Sequence, residues 1–226
     1  MDTKAFSELF PLFGNASPET IESLLSITTE HQYPVGRTVL MEDSWGNAVY
    51  FIQSGWVKVR RLTGDNTTTT LAILGKGDFF GEMAILDESP RSTDVVALSK
   101  VTLLSISAQR FIQTLFRDHQ LHHRMLQLMV QRLRNANARF QWRNLAPAYK
   151  LAKTLILLTE SYGEQTEQGV KIIKIPFADL AEVADIKAKE VDIILTTLQS
   201  KGWLEMDDAT IHFTNFKQLS HLAKQA

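Results

Sequence analysis

The residues with the clearest chemical potential form one string, Gly75-Lys76-Gly77-Asp78-Phe79-Phe80-Gly81-Glu82-Met83-Ala84-Ile85-Leu86, followed by Pro90-Arg91-Ser92-Thr93-Asp94. A Gly-Glu pair on a tight turn, an arginine nine residues beyond the glutamate and a hydroxyl beside that arginine together make a cradle for a cyclic phosphate. Glycine at 81 permits close backbone approach, while free N–H groups and the Ser92 hydroxyl donate to phosphate oxygens. Arg91 supplies a charge-assisted fork, and Glu82 accepts a ribose 2′-hydroxyl. No metal-ligand spacing, nucleophile elbow, Walker loop or catalytic dyad accompanies the string, which excludes a recognisable enzyme centre.

Such a cradle needs a rigid scaffold, and the surrounding composition indicates which. Eight of the eleven glycines precede residue 82, and between them run short apolar strings such as Ala48-Val49-Tyr50-Phe51-Ile52 and Trp56-Val57-Lys58-Val59-Arg60. Short strands separated by glycine turns, including Ser54-Gly55 and Thr63-Gly64-Asp65, predict a β-sandwich or barrel. From Asp118 to about Leu145 there is no Gly or Pro, and Leu126, Met129, Leu133, Ala136 and Phe140 recur at spacings of three and four. That seam predicts a helix of roughly 40 Å whose apolar edge needs a partner. Helices near 149–162, 177–184, 187–200 and 215–224 follow, with a polar connection over 163–169, a strand over 172–175 and a small hairpin through Asp207-Asp208.

Charge divides the chain in the same places. Residues 1–110 carry nine basic and thirteen acidic side chains, residues 111–148 carry six and one, and residues 149–226 carry nine and eleven, so a net charge of −1 hides an arginine-only basic helix between two acidic regions. The absence of cysteine excludes disulfides, thiolate metal sites and cysteine-ligated iron–sulfur clusters. No signal-peptide pattern or membrane-length apolar run is present, so the expected compartment is the cytoplasm.

The string at 75–94, the Pro34-Val35-Gly36 turn, the Ser54-Gly55 hairpin, the long helix and the helix–turn–helix that follows it resemble the cyclic AMP receptor protein (CRP/FNR) family over nearly the whole chain. The resemblance implies an α+β architecture: a jelly-roll-like cyclic-nucleotide-binding β-roll over 1–116, a dimerisation helix over 117–146, and a winged helix–turn–helix over 147–226. It also implies a homodimer through the helix around Leu126–Phe140.

Family members differ in ligand. Haem would need axial ligands, and His122-His123 reads as two solvated helix histidines. For cyclic AMP the cassette residues Gly81, Glu82, Arg91 and Ser92 are favourable, but where cyclic AMP binders place a Thr-Ser pair against adenine this chain has Asn135-Ala136-Asn137, with Asn137 the candidate contact. Arg91-Ser92-Thr93-Asp94 is an R-x-x-D string similar to the guanine-binding element of cyclic di-GMP sites, where Arg faces O6/N7 and Asp accepts from the N–H edge. Arg60, Arg61, Arg132 and Arg134 cluster as auxiliary contacts, with Asp65 near the hairpin tip. The overall resemblance is to cyanobacterial CRP-like regulators that bind cyclic di-GMP, which ranks that ligand first and cyclic AMP second.

At the family's recognition helix this sequence has Lys187, Ala188, Lys189, Glu190 and Ile193 in place of the usual arginine and acidic base readers. Lys187 and Lys189 form a small basic patch in an otherwise acidic domain with a wing of two aspartates. Two outputs follow as expectations, an unusual DNA site or another transcription regulator as partner. The expected protein is a non-enzymatic, cytoplasmic, homodimeric sensor, with a nucleotide-hydrolysing enzyme as the remaining alternative.

Overall fold

The computed structural model describes residues 2–64 and 67–224; Asp65 lies outside the described residues. Two compact units divide the chain, one of residues 1–68 and 72–136 and one of residues 137–226 with 69–71.

In the first unit, helix α1 (Thr3–Leu9), a 3₁₀ turn (Pro11–Phe13) and helix α2 (Pro18–Leu25) precede the strands. Each helix begins on a capping side chain: Asp2 accepts from the Ala5 N–H, and Ser17 from the Thr20 N–H with Pro18 in the first turn. The strands follow as β1 (Thr29–Tyr33), β2 (Thr38–Leu40), β3 (Ala48–Ser54), β4 (Val57–Leu62), β5 (Thr68–Leu74), β6 (Phe79–Phe80), β7 (Asp94–Ala97) and β8 (Val101–Ser107), with the short helix α3 (Glu82–Leu86) between β6 and β7. They make two four-stranded sheets, β1-β8-β3-β6 and β2-β7-β4-β5; the pairings of β8 with β1 and β3, of β3 with β6, and of β7 with β2 and β4 are antiparallel.

Strand periodicity sorts the apolar side chains into two cores. Val49, Phe51, Phe79, Leu104 and Ile106 pack toward the N-terminal helices in one cluster with Phe6, Phe10, Phe13, Phe111 and Leu121. Their neighbours Ile52, Phe80, Val101 and Leu103 turn to the opposite face and join Leu40, Val57, Val95 and Ala97, where Tyr33, Tyr50, Val59 and Leu74 are only partly buried.

Helix α4 (Ala108–Arg117) leads to the long helix α5 (His119–Trp142). Asp118 separates them and caps the latter, accepting from the N–H groups of Gln120 and Leu121, both at 3.0 Å. Its second oxygen accepts from the Ser17 N–H at 3.0 Å and the Thr20 hydroxyl at 2.8 Å, tying the start of α5 to the start of α2. The expected apolar seam is corrected in one detail. Met129 packs with the first core, and the exposed row is Leu126, Val130, Leu133 and Phe140, at 55%, 49%, 61% and 68% exposure.

The second unit consists of α6 (Pro147–Tyr162), β9 (Glu164–Thr166), β10 (Gly169–Ile173), α7 (Phe177–Ala184), α8 (Ala188–Ser200), β11 (Glu205–Met206), β12 (Thr210–Phe213) and α9 (Phe216–Lys224). Its sheet runs β11-β12-β10-β9. The segment expected as an unstructured connection contains β9, which pairs Glu164, Gln165 and Thr166 with Lys171, Val170 and Gly169. Three polar residues in a row carry no alternation from which an edge strand could be read. Helix α7 ends on Asp185 in the left-handed conformation (φ 54°), held by Lys150, whose Nζ donates to the Asp185 carboxylate at 2.6 Å and carbonyl at 2.9 Å.

Candidate cyclic nucleotide site

The turn between β6 and α3 and the segment before β7 bring Gly81, Glu82 and Arg91 together. Gly81 takes a positive φ of 86°, which a side chain would strain, and its carbonyl accepts from Arg91 Nη1. Arg91 Nη2 donates to the Ala48 carbonyl at 2.8 Å. The backbone of Arg91 is fixed as well, because its N–H donates to the Ser44 carbonyl and its own carbonyl accepts from Asp43, both at 2.8 Å. Gly46 lies so close that a Cβ there would collide with the guanidinium. Arg91 is 3% exposed, and burial pulls its pKa below the usual arginine value. A buried cation held only by carbonyls retains its full charge toward an incoming anion.

Glu82 is also 3% exposed. Its Oε1 accepts from Arg132 Nη1 at 2.6 Å, and Arg132 Nη2 donates to the Phe79 carbonyl at 2.6 Å and to the Asp78 carboxylate. The Arg132 guanidinium lies 4.3 Å from the centre of the Phe79 ring. Burial raises the Glu82 pKa, and the Arg132 charge offsets only part of that rise. Sequence reasoning named Arg132 as an auxiliary contact but missed Asp78 and Phe79 as its partners. Local spacing carries no signal for them, because the partners lie more than fifty residues before Arg132 and meet it only through the packing of α5.

The other predicted residues fall into a second group. Asp94 does not join Arg91. It pairs with Arg60, its cross-strand neighbour, whose Nε and Nη2 donate to Oδ2 at 3.1 and 3.0 Å, while Oδ1 accepts from the Glu42 N–H at 2.8 Å. Arg61 donates to the Glu42 carboxylate at 3.2 Å. The side-by-side pairs Arg60–Asp94 and Arg61–Glu42 are joined to Arg91 through the 41–44 loop. Ser92 is exposed beside Arg91, and Arg134 and Asn137 are exposed on α5, away from the Arg132 cluster. A bend at residues 92 and 93 stands between Arg91 and the start of β7 at Asp94, so the two side chains separate where a linear motif suggested a pair.

In the second unit Lys187, Ala188 and Lys189 are exposed at the start of α8, and Ile193 is 55% exposed. Val191, two residues before it, is fully buried. At the wing, Asp207 accepts from the Ala209 and Thr210 N–H groups and the Thr210 hydroxyl at 2.6 to 2.8 Å, hydrogen bonds that lower its pKa and keep the tip anionic. No group of three His, Cys, Asp or Glu side chains able to hold a metal occurs among the described residues, and no described helix is long and apolar enough to cross a membrane.

Residues 30–118, which include Gly81, Glu82 and Arg91, match the cyclic nucleotide-binding domain family. The chain is 28% identical over 218 residues to the cyclic AMP receptor protein of Thermus thermophilus, covering 94% of this chain and 96% of the relative. It is 24% identical over 220 residues to a CRP-like cAMP-activated global transcriptional regulator of Mycobacterium tuberculosis, again 94% and 96%. The c-di-GMP-responsive global regulator CLP of Xanthomonas campestris shares the fold with a TM-score of 0.67 at 21% identity, over 87% of this chain and 99% of that one. Over nearly its whole length the chain is thus similar to regulators of the CRP/FNR type.

Proposed function

We propose that the protein is a cyclic nucleotide-responsive transcriptional regulator of CRP type that acts without catalysis, as a homodimer joined through the exposed row Leu126, Val130, Leu133 and Phe140. The observation that carries this reading is Arg91: a nearly fully buried guanidinium, anchored by carbonyls and with no carboxylate ion-paired to it among the described residues, held beside a buried glutamate on a left-handed glycine turn. An anionic phosphate satisfies the cation, and Glu82 accepts from a ribose hydroxyl.

Cyclic di-GMP is the ligand we favour. Guanine presents two acceptors on one edge and N–H donors on another, and an Arg–carboxylate couple complements both. Arg60–Asp94 and Arg61–Glu42 are two such couples side by side, so the guanine-reading arginine for Asp94 becomes Arg60. Cyclic AMP is the second reading, supported by the cassette and by the names of the relatives. Titration calorimetry with both nucleotides decides between them: binding of cyclic di-GMP that is lost in Asp94→Ala and Arg60→Ala supports the first, while tight cyclic AMP binding with no cyclic di-GMP heat overturns it.

The output belongs to the surface of α8. Lys187 and Lys189 offer phosphate contacts, whereas the anionic wing and Ile193 suit a protein surface, another regulator of transcription being the partner class. A gel shift on genomic fragments with and without nucleotide separates the two, since specific ligand-dependent retardation assigns the output to DNA.

A further inference from the structure

We infer that Tyr50 is a ligand-contacting residue of this site, its hydroxyl donating to a phosphate oxygen of the bound nucleotide beside Arg91; this rests on the cyclic-nucleotide reading above and adds a residue to it.

Tyr50 lies on β3 directly opposite Phe80, and the two rings stack with centroids 5.5 Å apart and planes 9° from parallel. Strand alternation places Tyr50 on the same side of β3 as Ala48, two residues away. Arg91 Nη2 is bonded to the Ala48 carbonyl, and Arg91 Nη1 to the carbonyl of Gly81, the residue after Phe80. The guanidinium is therefore anchored at both the strand that carries Tyr50 and the strand that pairs with it. Tyr50 packs against the second core yet remains partly exposed.

Its hydroxyl has no hydrogen-bond partner among the described residues. A partly buried phenol of that kind normally finds one. The stack on Phe80 fixes the ring, so the donor is pre-positioned and binding loses little side-chain freedom. Burial and the neighbouring Tyr33 raise the phenol pKa, and the Arg91 charge lowers it only in part, so the group stays protonated and able to donate at neutral pH. Arg91 and Tyr50 then present a fork and a single donor to one anionic group, the arrangement a tetrahedral phosphodiester takes up with its two free oxygens.

The test uses the full-length protein and Tyr50→Phe, which keeps the ring and its stack and removes only the donor. Affinity for the nucleotide that the wild type binds, cyclic di-GMP or cyclic AMP by calorimetry, should fall about tenfold, the effect of losing one hydrogen bond to a charged group. Melting of the ligand-free variant should match wild type. A tyrosine ultraviolet difference spectrum should appear on nucleotide addition to wild type and be absent from the variant. Wild-type affinity and an unchanged spectrum in Tyr50→Phe overturn the assignment while leaving the nucleotide reading intact. A wild type that binds neither nucleotide overturns both.

Discussion

Arg132 Nη1 and Glu82 Oε1 stand 2.6 Å apart, joining the long helix to the turn that carries the phosphate cradle. The glutamate that would accept from a ribose is thus already engaged by an arginine of α5. A ligand that recruits Glu82 competes with this pair or joins it, and either event is felt by the helix.

Removing that arginine leaves a buried carboxylate beside Asp78 without the cation that hydrogen-bonds it. We predict that Arg132→Ala lowers stability by about 2 kcal/mol, because Arg132 is partly solvated while Glu82 is not. The Glu82 pKa is already raised, so the stability linked to it is complete below the ordinary carboxyl range and is lost as pH rises through the folded value. Without Arg132 the loss on alkaline titration should be steeper. Thermal melting across neutral pH should show this, and adding Glu82→Gln should abolish the extra slope.

Asp118 behaves in the opposite sense. Burial raises its pKa, but hydrogen bonds from Leu121, Ser17, Thr20 and Gln120 outweigh that and leave it lowered. Its contribution is present above the ordinary aspartate range and disappears as pH falls through the folded value. Asp118→Ala should cost about 2 kcal/mol at neutral pH and much less in acid. Denaturant titrations at the two conditions measure the difference; an equal loss at both would show that the carboxylate is not the source.

The apolar row on α5 makes a third expectation. Leu133→Glu places a charge in the middle of the seam, and the dimer should dissociate while the first unit keeps its fold, since Leu133 contributes to neither core. Sedimentation velocity reads the mass, and a variant that stays dimeric would remove this face from the interface.

Much of this was legible in the sequence because periodic patterns report faces. The alternating β3 string, the long unbroken helix and the helix–turn–helix were each visible from spacing. The cradle residues were legible because glycine, glutamate and arginine at those intervals have few other uses together. What escaped has a common cause. The Asp94–Arg60 and Arg132–Asp78 pairs join residues 34 and 54 positions apart, and pairings of that span follow from sheet register and helix packing, not from local pattern. Met129 reads as a seam residue at period 3.5, yet the helix rotates it onto the β-roll and leaves Val130 outside. Tyr50 read as one apolar member of a strand string, and its importance lies in which face it turns to.

The cap at Asp118 sets how the long helix can respond. Four donors from two elements converge on one carboxylate, so α5 cannot slide along its axis without breaking them together. A rod pinned at one end pivots. At 1.5 Å per residue Leu133 lies about 22 Å from the pin, so a tilt of about 5° sweeps it through about 2 Å. If a nucleotide binds and α5 pairs with a second copy as proposed, an event of ångström size at the cradle would become a change of register between the two helices, with Asp118 as its fulcrum.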